Sequence, residues 1–173
     1  MLSRLRAYVW TAVKWTPVAV MTNEAVVTVA PVPDEYMQPT LDGGRRGWRE
    51  WVLVHVWPIV TDEGLNRGDV GLFKSPFKPS EYTVRRVLAK EGDWIIPGHS
   101  NRVLTVNKGR VWIEGDAEHP LEEAISEHAT PTLCGPVPRD LARGKVLAVI
   151  WPLNRIRLVP NFKPEGRVLL ERS

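Results

Sequence analysis

The chain has 173 residues, 43% of them hydrophobic and 25% charged, the balance of an ordinary globular protein with one domain or two small ones. That excludes a disordered or collagen-like chain. Lys+Arg 23 against Asp+Glu 20 gives a formal charge of +3, which is compatible with an anionic membrane or nucleic acid nearby but demands neither; a plain solvated surface accounts for it better.

The single cysteine, Cys134, excludes an internal disulfide and a cysteine-based metal cluster. Eight tryptophans against three Phe and three Tyr is a skewed aromatic set. Tryptophan joins a large apolar body to one N–H, which suits cores, interfaces and membrane boundaries.

The first acidic residue is Glu24. Before it Arg4, Arg6 and Lys14 lie among Leu2, Leu5, Tyr8, Val9, Trp10, Val13 and Trp15. An acid-free, Arg-bearing, amphipathic start has the composition of a mitochondrial targeting segment. Ala7 to Met21 is also apolar enough to enter a bilayer, although Lys14 and Pro17 interrupt the run of about 20 residues that a spanning helix needs. An interfacial or weakly spanning helix, or one packed on a protein partner, fits the same residues.

Beyond Pro33 the pattern changes to short strands separated by turn residues. Strands are expected in the apolar, β-branched run Trp51–Val60, then at Val70–Phe73 and Thr83–Leu88. Trp94–Ile96, Arg102–Val106, Arg110–Ile113, Lys145–Trp151 and Ile156–Val159 complete the series. Strands at this spacing without interleaved helices predict a mainly β fold, an antiparallel barrel or sandwich. Pro120–His128 is the one internal stretch expected to be helical. The domain organisation expected is therefore an N-terminal targeting or membrane-associated helix over 1–25, a β domain over 26–160 and a polar, peripheral tail over 161–173.

Generic catalytic signatures are weak. His119 and His128 lie among Glu118, Glu122, Glu123 and Glu127, but without the HExxH spacing a zinc hydrolase would use; an acidic surface helix accounts for them. There is no glycine-rich phosphate loop. The basic pairs Arg45-Arg46 and Arg85-Arg86 are too isolated for a nucleic-acid stripe, so direct nucleic-acid contact is not expected. No metal or other cofactor is expected.

Five motifs carry more. Tyr36-Met37-Gln38-Pro39-Thr40-Leu41 follows the apolar lead-in Val26–Val32. Arg67-Gly68-Asp69-Val70 precedes Val84-Arg85-Arg86-Val87-Leu88-Ala89-Lys90-Glu91-Gly92-Asp93. Val111-Trp112-Ile113-Glu114-Gly115-Asp116 follows, and then Gly135-Pro136-Val137-Pro138 ahead of a hydrophobic strand ending in Trp151-Pro152. In order and spacing this series resembles the type I signal peptidase family, most closely the subunit-2 type of its mitochondrial inner membrane protease branch. The likeness runs over about residues 16–155.

The resemblance implies a signal-peptidase-like β domain hung from an N-terminal membrane helix and facing the intermembrane space, which trims presequences with a Ser/Lys dyad. In such a dyad a desolvated lysine is neutral and takes the serine's proton. Here the nucleophile's position holds Tyr36 and the general base's holds Arg85. A phenol on a rigid ring projects beyond the reach of a serine hydroxyl, and a guanidinium stays protonated and cannot act as a base. The run that supports the dyad through hydrogen bonds has become His128-Ala129-Thr130-Pro131-Thr132-Leu133-Cys134, without the family's Ser and Asp.

The expectation is a degenerate dyad at Tyr36 and Arg85 beside a former cleft that includes Met37, Pro39 and Arg86; the two side chains could meet across it as a stack or with the phenol accepting from the guanidinium. The Gly68-Asp69, Gly92-Asp93 and Gly115-Asp116 pairs are expected as turn formers. A protein of this kind would be a non-catalytic structural or assembly subunit of a mitochondrial membrane-associated complex. Its partners would be other protein subunits and, through residues 1–25, the membrane. Two other functions compete: an active peptidase with a displaced nucleophile, and a module that binds presequences without cutting them.

Overall fold

A computed structural model describes residues 26–33, 36–42, 48–56, 64–75, 80–97, 102–117, 134–162 and 168–169. The N-terminal helix expected over 1–25, the helix expected at Pro120–His128, the His119/His128 cluster, positions 57–60 of the strand expected at Trp51–Val60 and the Arg45-Arg46 pair lie outside these residues.

The described chain is antiparallel β, as its strand spacing predicts. The strands are β1 (Val27–Pro31), β2 (Trp51–His55), β3 (Val70–Lys74), β4 (Tyr82–Ala89), β5 (Trp94–Ile95) and β6 (Leu104–Thr105). They continue with β7 (Arg110–Glu114), β8 (Cys134–Pro138), β9 (Ala142–Trp151), β10 (Arg157–Leu158) and β11 (Val168–Leu169). Eight of them form one sheet in the order β1-β2-β9-β3-β4-β7-β8, with β10 also paired to β9; the other three form a small sheet, β11-β5-β6.

β4 is the backbone of the core. Every residue after Tyr82 is buried, as expected of a strand covered on both faces, whose sequence shows a continuous run rather than an alternation. Its Val84 joins the cluster of Val52, Val54, Leu72, Val146 and Val149, into which Met37 and Leu41 insert. Val87 belongs to a second cluster with Leu65, Phe73, Val111, Ile113 and Ala142. Leu88 and Ala89 belong to a third with Ile95, Val106 and Trp112, beneath the small sheet.

Two differences from the sequence-based expectation stand out. Cys134–Pro138 is a strand despite its Gly-Pro-Val-Pro composition, because it lies at a sheet edge, where a missing proline N–H costs no ladder bond. The tail is not merely peripheral. Val168 and Leu169 pair with Ile95 and Trp94, and Phe162 N–H donates to the Gly68 carbonyl at 3.4 Å.

Candidate functional site

The Tyr36–Leu41 segment is a chain of turns held by its own backbone. Leu41 N–H donates to the Met37 carbonyl at 2.8 Å, and the Gln38–Pro39 peptide is cis. Met37 and Leu41 lie in the core, where both are fully buried, while Tyr36 is half-buried and Pro39 exposed. The turn is fixed from outside as well. Ala117 N–H donates to the Tyr36 carbonyl at 3.0 Å. Gly115 packs so close to that same carbonyl that a Cβ there would collide with it, which accounts for glycine at that position.

Neighbouring arginines in the middle of β4 meet this turn. Consecutive strand residues point to opposite faces, so Arg85 and Arg86 have separate surroundings. Arg85 is 1% exposed. Its Cζ lies 4.9 Å from the centroid of the Tyr36 ring, within cation–π range, and its Nη1 donates to the Val84 carbonyl at 2.6 Å. Of the two contacts considered from sequence between Tyr36 and Arg85, the stack is the one this distance describes.

Arg86, 2% exposed, grips Asp116 with both arms of its fork: Nε donates to Oδ1 at 2.8 Å and Nη2 to Oδ2 at 2.6 Å. Its Nη1 donates to the carbonyls of Gly68 at 2.7 Å and Pro160 at 3.0 Å. Nη2 also reaches Thr40 Oγ1 at 3.4 Å. Arg86 lies beside the turn as a brace between chain segments, whereas Met37 and Pro39 shape the turn itself.

Arg85, Gly71 and Lys145 occupy one row across β4, β3 and β9. The middle position has no room for a side chain, because a Cβ on Gly71 would run into Leu65 and Phe73. Lys145 is the lysine in this row, and its Nζ lies 2.8 Å from Asp69 Oδ1. Asp69 also accepts from Asn161 Nδ2 at 2.8 Å and from Asn66 N–H at 2.9 Å.

Sequence reasoning missed the second role of the three Gly-Asp pairs. Gly68 and Gly92 do turn the chain, with φ of 87° and 84°. Each aspartate also pairs with a cation from a distant segment: Asp69 with Lys145, Asp93 with Arg67 and Asp116 with Arg86. Burial by itself pushes the Asp93 carboxyl up, but the Arg67 fork (2.5 and 2.7 Å) and the Lys90 N–H together hold it below the usual carboxylate range. The hydrogen bond to Asp93 raises Arg67 in turn. The one sequence signal of this pattern was repetition of Gly-Asp in three motifs, two of which also contain basic residues. Among the described residues no group of three or more His, Cys, Asp or Glu side chains could hold a metal ion.

A mainly antiparallel β domain carrying these motifs in this order is the architecture of a signal peptidase. The family of signal peptidases, peptidase S26, matches residues 5–133, and the chain belongs to it. Within the family it is similar to the mitochondrial inner membrane protease subunit 2 of Mus musculus, at 32% identity over 156 residues, 90% of this chain and 85% of the relative. Subunit 2 of Danio rerio is 33% identical over 157 residues, 89% of this chain and 81% of the relative. Subunit 1 of the Homo sapiens protease is 31% identical over 133 residues, 72% of each.

Proposed function

We propose that the chain is a catalytically inactive member of the signal peptidase family, acting as a structural or assembly subunit of a complex at the mitochondrial inner membrane, on its intermembrane-space side. The inner-membrane location rests on the relatives, which are named subunits of an inner membrane protease; the side of the membrane rests on the family resemblance alone. The inactivity rests on the Tyr36–Arg85 stack. Where the family resemblance calls for a small alcohol beside a neutral amine, a phenol ring lies against a buried guanidinium. The guanidinium has no lone pair to take a proton. Losing either member of a nucleophile–base unit removes most of the rate, because the two act together.

Lys145 supports the same reading. It is the lysine nearest in register to Arg85, and it is engaged by the buried carboxylate of Asp69. That contact ties the amine to a carboxylate rather than to an aliphatic hydroxyl.

Incubating the purified full chain with a presequence peptide is the direct test. The peptide is expected to stay intact with wild type and with Tyr36→Phe alike; cleavage by wild type that Tyr36→Phe abolishes would overturn the inactive reading. Purification at endogenous levels tests the structural role. The chain is expected to travel with other subunits, and recovery as a free monomer would count against it.

A further inference from the structure

The small sheet ends in an open edge. β6 is the last strand in its order β11-β5-β6, and no described residue pairs with the outer side of β6. Val106 N–H donates to the Asp93 carbonyl at 2.9 Å, and the Val106 carbonyl accepts from Gly92 N–H at 3.0 Å. Val106 therefore turns its backbone toward β5, and Leu104, paired with Ile95, does the same two residues earlier. Successive residues of an antiparallel ladder alternate between its two sides, so Val103 and Thr105 present their N–H and C=O groups away from the sheet.

The side chains along this edge are apolar and open. Val103 is 48% exposed and Leu104 42%; Trp94, which lies directly opposite Thr105 and shares its face, is 51% exposed. Charge here has one sign. Between Asp93 and Glu114 the sequence has no carboxylate side chain, whereas Arg102 just before the strip and Lys108 just after it are both exposed. Of the acids that precede it, Glu91 accepts from Gly109 N–H at 2.8 Å, and Asp93 is held in the Arg67 fork. Apolar side chains flanked by cations suit an acidic protein segment or an anionic bilayer. The open ladder decides between them, because an extended peptide can match a row of outward N–H and C=O groups and a lipid surface cannot.

We propose that the edge of β6, from Val103 to Thr105 with Trp94 beside it, receives an extended acidic segment of a partner protein, which adds to the small sheet as a further strand. Main-chain bonds to Val103 and Thr105 carry the pairing, Trp94 supplies the apolar contact, and Arg102 and Lys108 select for acid. This edge is open whether or not the chain is catalytic.

Residue-resolved hydrogen exchange of the full-length protein tests it, with a capped peptide of alternating Glu and Val as the probe and one of alternating Lys and Val as its counterpart. The Glu/Val peptide is expected to slow exchange at Val103 and Thr105 saturably, while the Lys/Val peptide does not and the amides of β1, at an edge of the large sheet, do not change. Thr105→Pro removes an outward N–H at an edge position that tolerates its loss, and it is expected to abolish the effect. The surface variant Arg102→Glu/Lys108→Glu is expected to weaken binding of the Glu/Val peptide about tenfold. A flat titration, equal slowing by both peptides, or an undiminished effect in Thr105→Pro would overturn the proposal. Slowing that appears without peptide and rises with protein concentration would overturn it by giving the edge to a second copy of the chain. Slowing seen only on vesicles containing cardiolipin would overturn it in favour of the membrane.

Discussion

Arg86 donates to four separate stretches of chain: the Thr40 turn, the Gly68 loop, Asp116 after β7 and Pro160 near the end. Its neighbour Arg85 makes a ring contact on the other side of the strand. The sequence pair Arg85-Arg86 thus divides between a plug and a brace, and their energetics differ accordingly. A cation–π contact of this kind contributes about 1–2 kcal/mol. Breaking a buried bidentate pair by removing one partner costs about 3–5 kcal/mol, because a charge is left buried and alone. Arg86→Ala is therefore expected to lower unfolding free energy by that larger amount in denaturant titrations. The double variant Arg86→Met/Asp116→Leu is expected to recover part of the loss and no more. It removes the stranded carboxylate but leaves the Gly68 and Pro160 carbonyls without their donor. Equal stability of Arg86→Ala and wild type would show that the brace is not energetically coupled to the fold.

At the scale of elements, legibility followed the locality of the signal. β4 was expected at Thr83–Leu88 and runs Tyr82–Ala89, because a run of β-branched and apolar residues declares a buried strand by itself. β8 went unread because glycine and proline are turn residues in any local reading, and only its edge position makes them tolerable. A contact between Tyr36 and Arg85 was legible from two side-chain chemistries, but its form, a stack, was not. The ion pairs were not legible. Arg67 and Asp93 are 26 residues apart, and nothing local in the sequence joins them. The Arg67–Asp93 pair ties the turn after β4 to the loop before β3, and its pH dependence has a definite sign. The Asp93 carboxyl is lowered in the folded state, so its stabilisation is fully present above the ordinary carboxyl range and is lost as pH falls through the lower folded value. With Arg67 about one-third exposed, solvent screening reduces the pair to about 1–2 kcal/mol. Asp93→Asn is expected to cost that much at neutral pH and to flatten the acid limb of stability against pH. A variant that keeps the wild-type acid limb would remove Asp93 from the account.

The whole molecule is joined by its last described stretch, which crosses from the large sheet to the small one. Val159 N–H donates to the Leu147 carbonyl at 2.9 Å, Pro160 accepts from Arg86, and Asn161 Nδ2 donates to Asp69 Oδ1 at 2.8 Å. β11 then pairs with β5. Gly68 is a glycine partly for this reason: a Cβ there would strike Asn161 and the Phe162 carbonyl. The strap therefore lies over the loop that presents Asp69 to Lys145, and it supplies the outer strand beside Trp94 and Ile95. Removing residues 161–173 deletes a charge-assisted hydrogen bond and a strand while leaving the Arg86–Pro160 contact in place. The expected loss is about 2–3 kcal/mol, or a fall in thermal midpoint of about 5–10 °C for a chain of this size. The effect should also be local. Hydrogen exchange at Ile95 should speed up more than at Val84 in β4, because β5 loses a partner and β4 does not. The single variant Asn161→Ala separates the two contributions: it is expected to loosen the Asp69 loop without changing exchange at Ile95. If the truncated chain melts with wild type and exchanges uniformly, the two sheets hold together through the core around Leu88 and Trp112, and the strap carries no weight between them.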